Sequence, residues 1–157
     1  MSLRRERANR VNMHFQNDFS FVAQAPMGVT APLFGANRER VWAPDWNPAF
    51  LWPRDVADQP GMVFTVDHGD NIAVWVNTVF DLAAGRVQYV YVLPDVVATV
   101  ISLQLVPIGN ATRVSVRYER TALREAAHDA VRLMAEGDAK AGPEWETQIN
   151  AYLATVC

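Results

Sequence analysis

The residues of this chain that could do chemistry are few and scattered. The densest cluster is Asp67-His68 with Asp70, a carboxylate, imidazole and carboxylate set suited to acid/base work or to a metal. Gly69 lies inside it and marks a hairpin turn, where polar residues belong for conformational reasons, so the turn is the expected reading and no metal is implied. His128 and Asp129 are neighbours on a helical stretch, where adjacent side chains point in different directions, so no dyad is expected there. The single cysteine, Cys157, allows neither an intrachain disulfide nor a thiolate metal site. No serine stands in a Gly-x-Ser-x-Gly elbow, and there is no Gly-rich phosphate loop or dinucleotide fingerprint, so no cofactor is implied. More distinctive are Trp42, Trp46 and Trp52, large apolar groups with one polar handle each. They suit the mouth of a pocket for an aromatic ligand, and equally they could plug the open end of a sheet.

The elements that must position these groups follow from periodicity. Phe15 to Ala25 suggests an extended first strand with imperfect alternation, ended by Pro26. Gly28 to Phe34 is a short helical candidate, Asn37 to Pro48 has no clear period, and Ala49 to Pro53 is a brief strand. From Met62 to Thr121 the chain reads as five consecutive strands joined by turns at His68-Asn71, Asp81-Gly85, Pro94-Asp95 and Pro107-Asn110. Their alternation puts Tyr89, Tyr91 and Leu93, then Ile101, Leu103 and Leu105, then Val114, Val116 and Tyr118 on a buried face, with Arg and Gln opposite. Last comes a long helical stretch, Arg124 to Leu153, whose stripe of Val131, Met134, Trp145 and Ile149 recurs at three and four residues. Gly142-Pro143 should interrupt it near residues 139–143. Asp138 falls on the same stripe, where it either lines a wet cavity or occupies an exposed turn beside the break; the exposed turn is favoured because unpaired carboxylates are rarely buried.

One late helix is too narrow to cover a whole curved antiparallel sheet, so the gap between them tends to become a cavity. The chain has 157 residues, of which 50% are hydrophobic and 20% charged, so a globular domain with a real core is expected. No apolar run approaches the length needed to span a bilayer and no secretory signal stretch opens the chain, which leads to the expectation of a cytoplasmic protein without stable membrane insertion. Four arginines against one glutamate give the first ten residues a charge of +3 and leave the remainder at −6. An acidic body argues against nucleic acid as a partner. The basic leader, residues 1–12, reads as a flexible tail, and Met13 is an alternative start.

Glu39-x-x-Trp42-x-x-x-Trp46-x-Pro48, the Trp75-Val76 pair, Tyr89 with Pro94, and the run Arg113 to Leu123 leading into a helix that carries Trp145 together resemble the SRPBCC (START-like, polyketide cyclase-like) superfamily over residues 13–153. That group includes polyketide cyclases, lipid-transfer domains, the major birch-pollen allergen and chaperone-ATPase activator homologues. The resemblance implies an α+β helix-grip fold: about seven curved antiparallel strands, two small helices after the first strand, and a long C-terminal helix across the concave face. The family helix usually runs unbroken, so Gly142-Pro143 is a departure. Residues 13–157 are then expected to form one START-like ligand-binding domain. Three roles stay open. The first is a carrier of a small hydrophobic, aromatic or lipid-like molecule, with Trp42, Trp46, Trp75, Tyr89, Tyr91, Leu103, Tyr118, Met134 and Trp145 as candidate lining. The second is an enzyme of cyclase, aromatase or dehydratase type, in which Asn77, Thr78, Tyr89, Tyr91 or Asp138 would have to converge on a substrate. The third is an interaction protein like the chaperone activators, recognisable by an exposed apolar patch in place of a pocket. Whether the protein is a monomer or a dimer is left open by the sequence.

Overall fold

The computed structural model describes residues 12–157. The expected basic tail therefore falls, but for Asn12, outside the described residues. Seven strands form one antiparallel sheet: β1 (His14–Ala23), β2 (Ala49–Trp52), β3 (Val63–His68), β4 (Asn71–Asp81), β5 (Arg86–Leu93), β6 (Val97–Ile108) and β7 (Ala111–Ala122), in the spatial order β1-β7-β6-β5-β4-β3-β2. Between β1 and β2 lie the short helix α1 (Met27–Thr30), a 3₁₀ turn at Ala31–Phe34 and another at Arg38–Val41. The helix-grip architecture implied by the resemblance is the one the chain adopts.

The strands from β4 to β7 bury alternate residues. On β6 these are Val97, Thr99, Ile101, Leu103 and Leu105, and on β7 Thr112, Val114 and Val116. The alternation of β1 is cleaner than the sequence suggests. Asn17 occupies an inward position between Phe15 and Phe19, and its Nδ2 donates to the Ala135 carbonyl at 2.9 Å. That carbonyl lies in the last turn of a helix and accepts from the Ala139 amide as well, at 3.3 Å. Sheet curvature has local causes as well. The β4–β5 register shifts between Asn77 and Val79, so Thr78 is the extra residue of a bulge. At the β4–β5 turn Gly85 takes φ +68°, and a Cβ there would collide with the Leu105 carbonyl.

The C-terminal stretch is two helices, α2 (His128–Asp138) and α3 (Gly142–Val156). The break occupies residues 139–141, where the amides of Lys140 and Ala141 bond to Gly137 and Asp138 carbonyls at 3.1 and 3.2 Å in tightened turns. Pro143 opens α3, a position where its missing N–H has no intrahelical partner to lose. The two helices do different jobs. α2 packs on β1 and β7, burying Val131 and Ala135. α3 covers the free edge of β1: Glu146 Oε2 accepts from the Val22 amide at 3.0 Å, and Asn150 bonds both the Gln24 amide (2.8 Å) and the Val22 carbonyl (2.9 Å). An edge strand's unpaired backbone is thereby satisfied while α3 is fixed over the concave face. Because Pro143 stands where its missing N–H costs nothing, Pro143→Ala should lower stability by about 0.4–1 kcal/mol through the greater freedom of the unfolded chain. Thermal denaturation of the two proteins checks this, and a gain in stability would show that the proline strains the junction. No helix among the described residues is long and apolar enough to cross a membrane.

Candidate functional site

The concave side of the sheet is filled at one end and open at the other. At the filled end, Arg120 on β7 points inward, two residues along from Tyr118. Its Nε and Nη2 donate to Asp138 Oδ2 and Oδ1 at 2.5 and 2.8 Å, and its Nη1 donates to the Tyr91 hydroxyl at 2.5 Å and to Thr99 Oγ1 at 3.2 Å. Both charges are buried, at 8% and 7% exposure. Asp138 is therefore not on an exposed turn: the break after α2 sets it over the sheet, where a bidentate guanidinium supplies the partner that makes its burial tolerable. Burial would lower the Arg120 pKa, but the bonds to Asp138 override it and hold the cation more firmly than usual. The guanidinium also lies 4.9 Å from the centre of the Tyr118 ring.

At the open end a cavity of about 320 Å³ remains between sheet and helix. Its sheet wall is Trp75, Tyr89, Ile101, Leu103 and Tyr118; its second wall is the loop of Glu39, Trp42, Ala43, Pro44, Asp45 and Trp46; its third is Glu144, Trp145 and Gln148 from the first turns of α3. Seven of the nine residues expected to line a pocket meet here. Tyr91 and Met134 do not. Alternation fixed their face but not their position along it: Tyr91 stacks behind Trp75 with ring centres 4.3 Å apart and bonds Arg120, and Met134 Sδ lies 3.9 Å from the same guanidinium.

The loop is held rigidly. Three donors converge on carbonyls at the end of the first 3₁₀ turn: Trp42 Nε1 on Leu33, Tyr89 hydroxyl on Phe34 and Trp46 Nε1 on Ala36, each at 2.7 Å. Those carbonyls would otherwise be orphaned at a helix end. The tryptophans thus fill both offered roles, since their polar edges lock the loop and their ring faces line the cavity. Trp52 does neither and is 51% exposed. Asp58 secures the other side, accepting from the Asn37 and Arg38 amides at 2.8 and 3.3 Å and packing against Gly35, where a side chain would displace it.

Sequence reasoning named Glu39 only as part of a motif, yet it is the one carboxylate set deep in this wall. It retains accessible surface because it faces the cavity, but burial, and then the nearby Asp58 charge, raise its carboxyl well above the usual range. No ion pair or side-chain hydrogen bond engages it among the described residues. Its spacing of three from Trp42 was the available signal, because it places both on one side of a helical turn. Among the described residues, Trp75 Nε1 is buried without an acceptor, and the Tyr118 hydroxyl, raised well above the usual tyrosine range by burial, makes no hydrogen bond.

The remaining candidates lie elsewhere. Thr78 is on the outer face, donating to Gln88 Oε1 at 2.9 Å. Asn77 is fully buried beside the bulge but outside the cavity wall, and neither amide atom has a partner among the described residues. Asp67 and His68 end β3, with Gly69 at φ +62° turning the chain as expected. His128 Nδ1 does reach Asp129 Oδ1, at 3.3 Å, contrary to the expectation from helix geometry; Asp129 is largely exposed at the helix start, so the contact lies on the surface. A larger depression of about 650 Å³ lies on the outer face of the sheet, but its polar residues bond one another, as in Arg117 to Asp18 at 2.7 Å and Gln88 to Ser102 at 3.0 Å. It offers no enclosed apolar surface, so the sheet–helix cavity is the better candidate.

No family model and no curated protein sequence matches the chain. Solved structures do. XoxI of Bacillus cereus is 15% identical, with 91% of this chain and 99% of that one covered and a TM-score of 0.66. Norcoclaurine synthase of Thalictrum flavum is 9% identical, with 91% and 87% covered and a TM-score of 0.63. DynU16, from the dynemicin biosynthetic locus, is 15% identical with a TM-score of 0.58; 89% of this chain is covered, which spans 47% of DynU16. At these identities the likeness is one of fold.

Proposed function

We propose that this protein holds a small hydrophobic, aromatic or lipid-like molecule in the cavity between its sheet and α3. The observation that carries this is an unfilled space of about 320 Å³ walled by six aromatic side chains, three of which have their polar edges tied to the backbone. Such a wall presents ring faces to its occupant, and burying apolar area against them supplies the affinity. Two of the proteins sharing the fold have names tied to small-molecule biosynthesis, which agrees with a cavity for a small molecule. The enzymatic reading is weaker because its polar candidates do not converge: Thr78 is outside, Asn77 is beside the bulge, Tyr91 and Asp138 serve Arg120, and Tyr89 alone lines the cavity with its hydroxyl already donated.

The uncharged fluorophore N-phenyl-1-naphthylamine should bind in the micromolar range, about −8 kcal/mol. Leu103→Trp should weaken that binding about tenfold, or ~1.4 kcal/mol, by occupying the space, with the melting temperature nearly unchanged. If the parent binds no fluorophore and the variant loses ~1–3 kcal/mol of stability, the interior is a packed core and the reading fails.

A further inference from the structure

The charges around the cavity all have one sign. Glu39, Asp45 and Glu144 line it, and among the described residues no lysine, arginine or histidine does. The nearest buried cation is Arg120, behind Tyr118, but Asp138 matches its charge at 2.5 and 2.8 Å, so it does not neutralise Glu39. Arg38 and Arg40 flank Glu39 in sequence and are exposed; Arg40 turns away to the Asn37 carbonyl and over the Phe50 ring, 5.5 Å from its centre. On the remaining side stands another anion, Asp58, whose carboxylate is taken up by two backbone amides. A carboxylate left without a counter-charge in an aromatic wall is costly, so burial favours its protonated form until something brings a positive charge to it.

Taking the cavity reading as its basis, we infer that the occupant is an organic cation: a flat apolar body bearing an ammonium group, with the body among Trp42, Trp46, Trp75 and Trp145 and the ammonium at Glu39. Aromatic faces attract a cation through their quadrupoles, and the attraction grows when water is excluded. Glu39 supplies the counter-charge, and Asp45 and Glu144 add a negative field. An anionic ligand of the same shape is repelled by all three. Burial raises the Glu39 carboxyl, and an ammonium beside it reverses that by favouring the ionised form, so binding of the cation and ionisation of Glu39 reinforce one another.

Calorimetric titration with three ligands of one shape tests this: 1-naphthylmethylammonium, the neutral 1-naphthylmethanol and the anionic 1-naphthoate. The parent should bind the ammonium at least tenfold more tightly than the alcohol, and the naphthoate most weakly. Glu39→Gln should reduce the ammonium preference to about threefold or less while leaving the alcohol's affinity within about twofold. Equal affinity for ammonium and alcohol in the parent, or a preference that survives Glu39→Gln, overturns the cation while leaving the cavity occupied. Failure of all three compounds to bind overturns both. Should Glu39→Gln not fold, the ratio measured in the parent still decides, and the rim variant Asp45→Asn/Glu144→Gln, which should lower the ratio only slightly, separates the field from the direct contact.

Discussion

Asp138→Asn should destabilise the protein by about 3–5 kcal/mol, a large part of the stability of an ordinary domain. The carboxylate accepts two guanidinium bonds from Arg120 at 2.5 and 2.8 Å where both partners are more than nine-tenths buried, so its loss strands a buried cation. The Tyr91 hydroxyl and Thr99 Oγ1 solvate the guanidinium but carry no charge to balance it. The pair is not therefore a net source of stability. Removing both charges with Arg120→Met/Asp138→Leu should recover most of the loss, because two apolar side chains of similar bulk carry no desolvation penalty. Urea denaturation of the parent, the single variant and the double variant checks both statements. A single-variant cost under ~1 kcal/mol would mean that water reaches the pair.

That ion pair also marks how far the sequence could be read. The succession of strands along the chain, the short helical stretch ending at Phe34 and the break near Gly142-Pro143 were legible, because each rests on local alternation or on a local breaker, whereas the 3₁₀ turn at Arg38–Val41 lies in a stretch without a clear period. Arg120 and Asp138 each stood on an inward position in the pattern, one after Tyr118 and one on the helical stripe. Read singly, Asp138 looked like a surface charge, and Arg120 carried no reading of its own. Their partnership spans eighteen residues and depends on where the break sets the end of α2, which no periodicity encodes. The cavity was legible in the same partial way. Alternation identifies a face, so Trp75, Tyr89, Leu103 and Tyr118 could be set on the inward side, but the curvature that divides that face into a filled end and an open end is a property of the whole sheet. Tyr91 and Met134 share the inward side yet lie at the filled end. Glu39 escaped because a carboxylate between two arginines on a polar loop reads as exposed, and its one local sign of facing inward, the spacing of three from Trp42, was outweighed.

Trp145→Ala should cost about 3 kcal/mol and at the same time weaken fluorophore binding at least tenfold, although it enlarges the cavity. Trp145 is half-buried, which puts it at the low end of the range for truncating a large aromatic. Its contacts explain why the cost is still substantial: ring centres of Phe19, Trp42, Phe21 and Tyr118 lie 5.3, 5.8, 6.3 and 6.5 Å away, three of them on strands and one on the loop. This side chain joins α3, the sheet and the tryptophan loop at one point, and edge-to-face aromatic pairs of this kind add about 0.5–1.5 kcal/mol each beyond burial. Without it the loop loses the neighbour that aligns Trp42, and a ligand loses both a ring face and the rigidity of the opposite wall. Trp145→Phe should retain most of the stability and an intermediate affinity, separating aromatic packing from mere volume. Chemical denaturation with parallel titration of the three proteins decides between that account and a simpler one. If Trp145→Ala binds more tightly at unchanged stability, Trp145 only obstructs the cavity, and α3 is held on the sheet by Glu146, Asn150 and the buried Ile149 and Leu153.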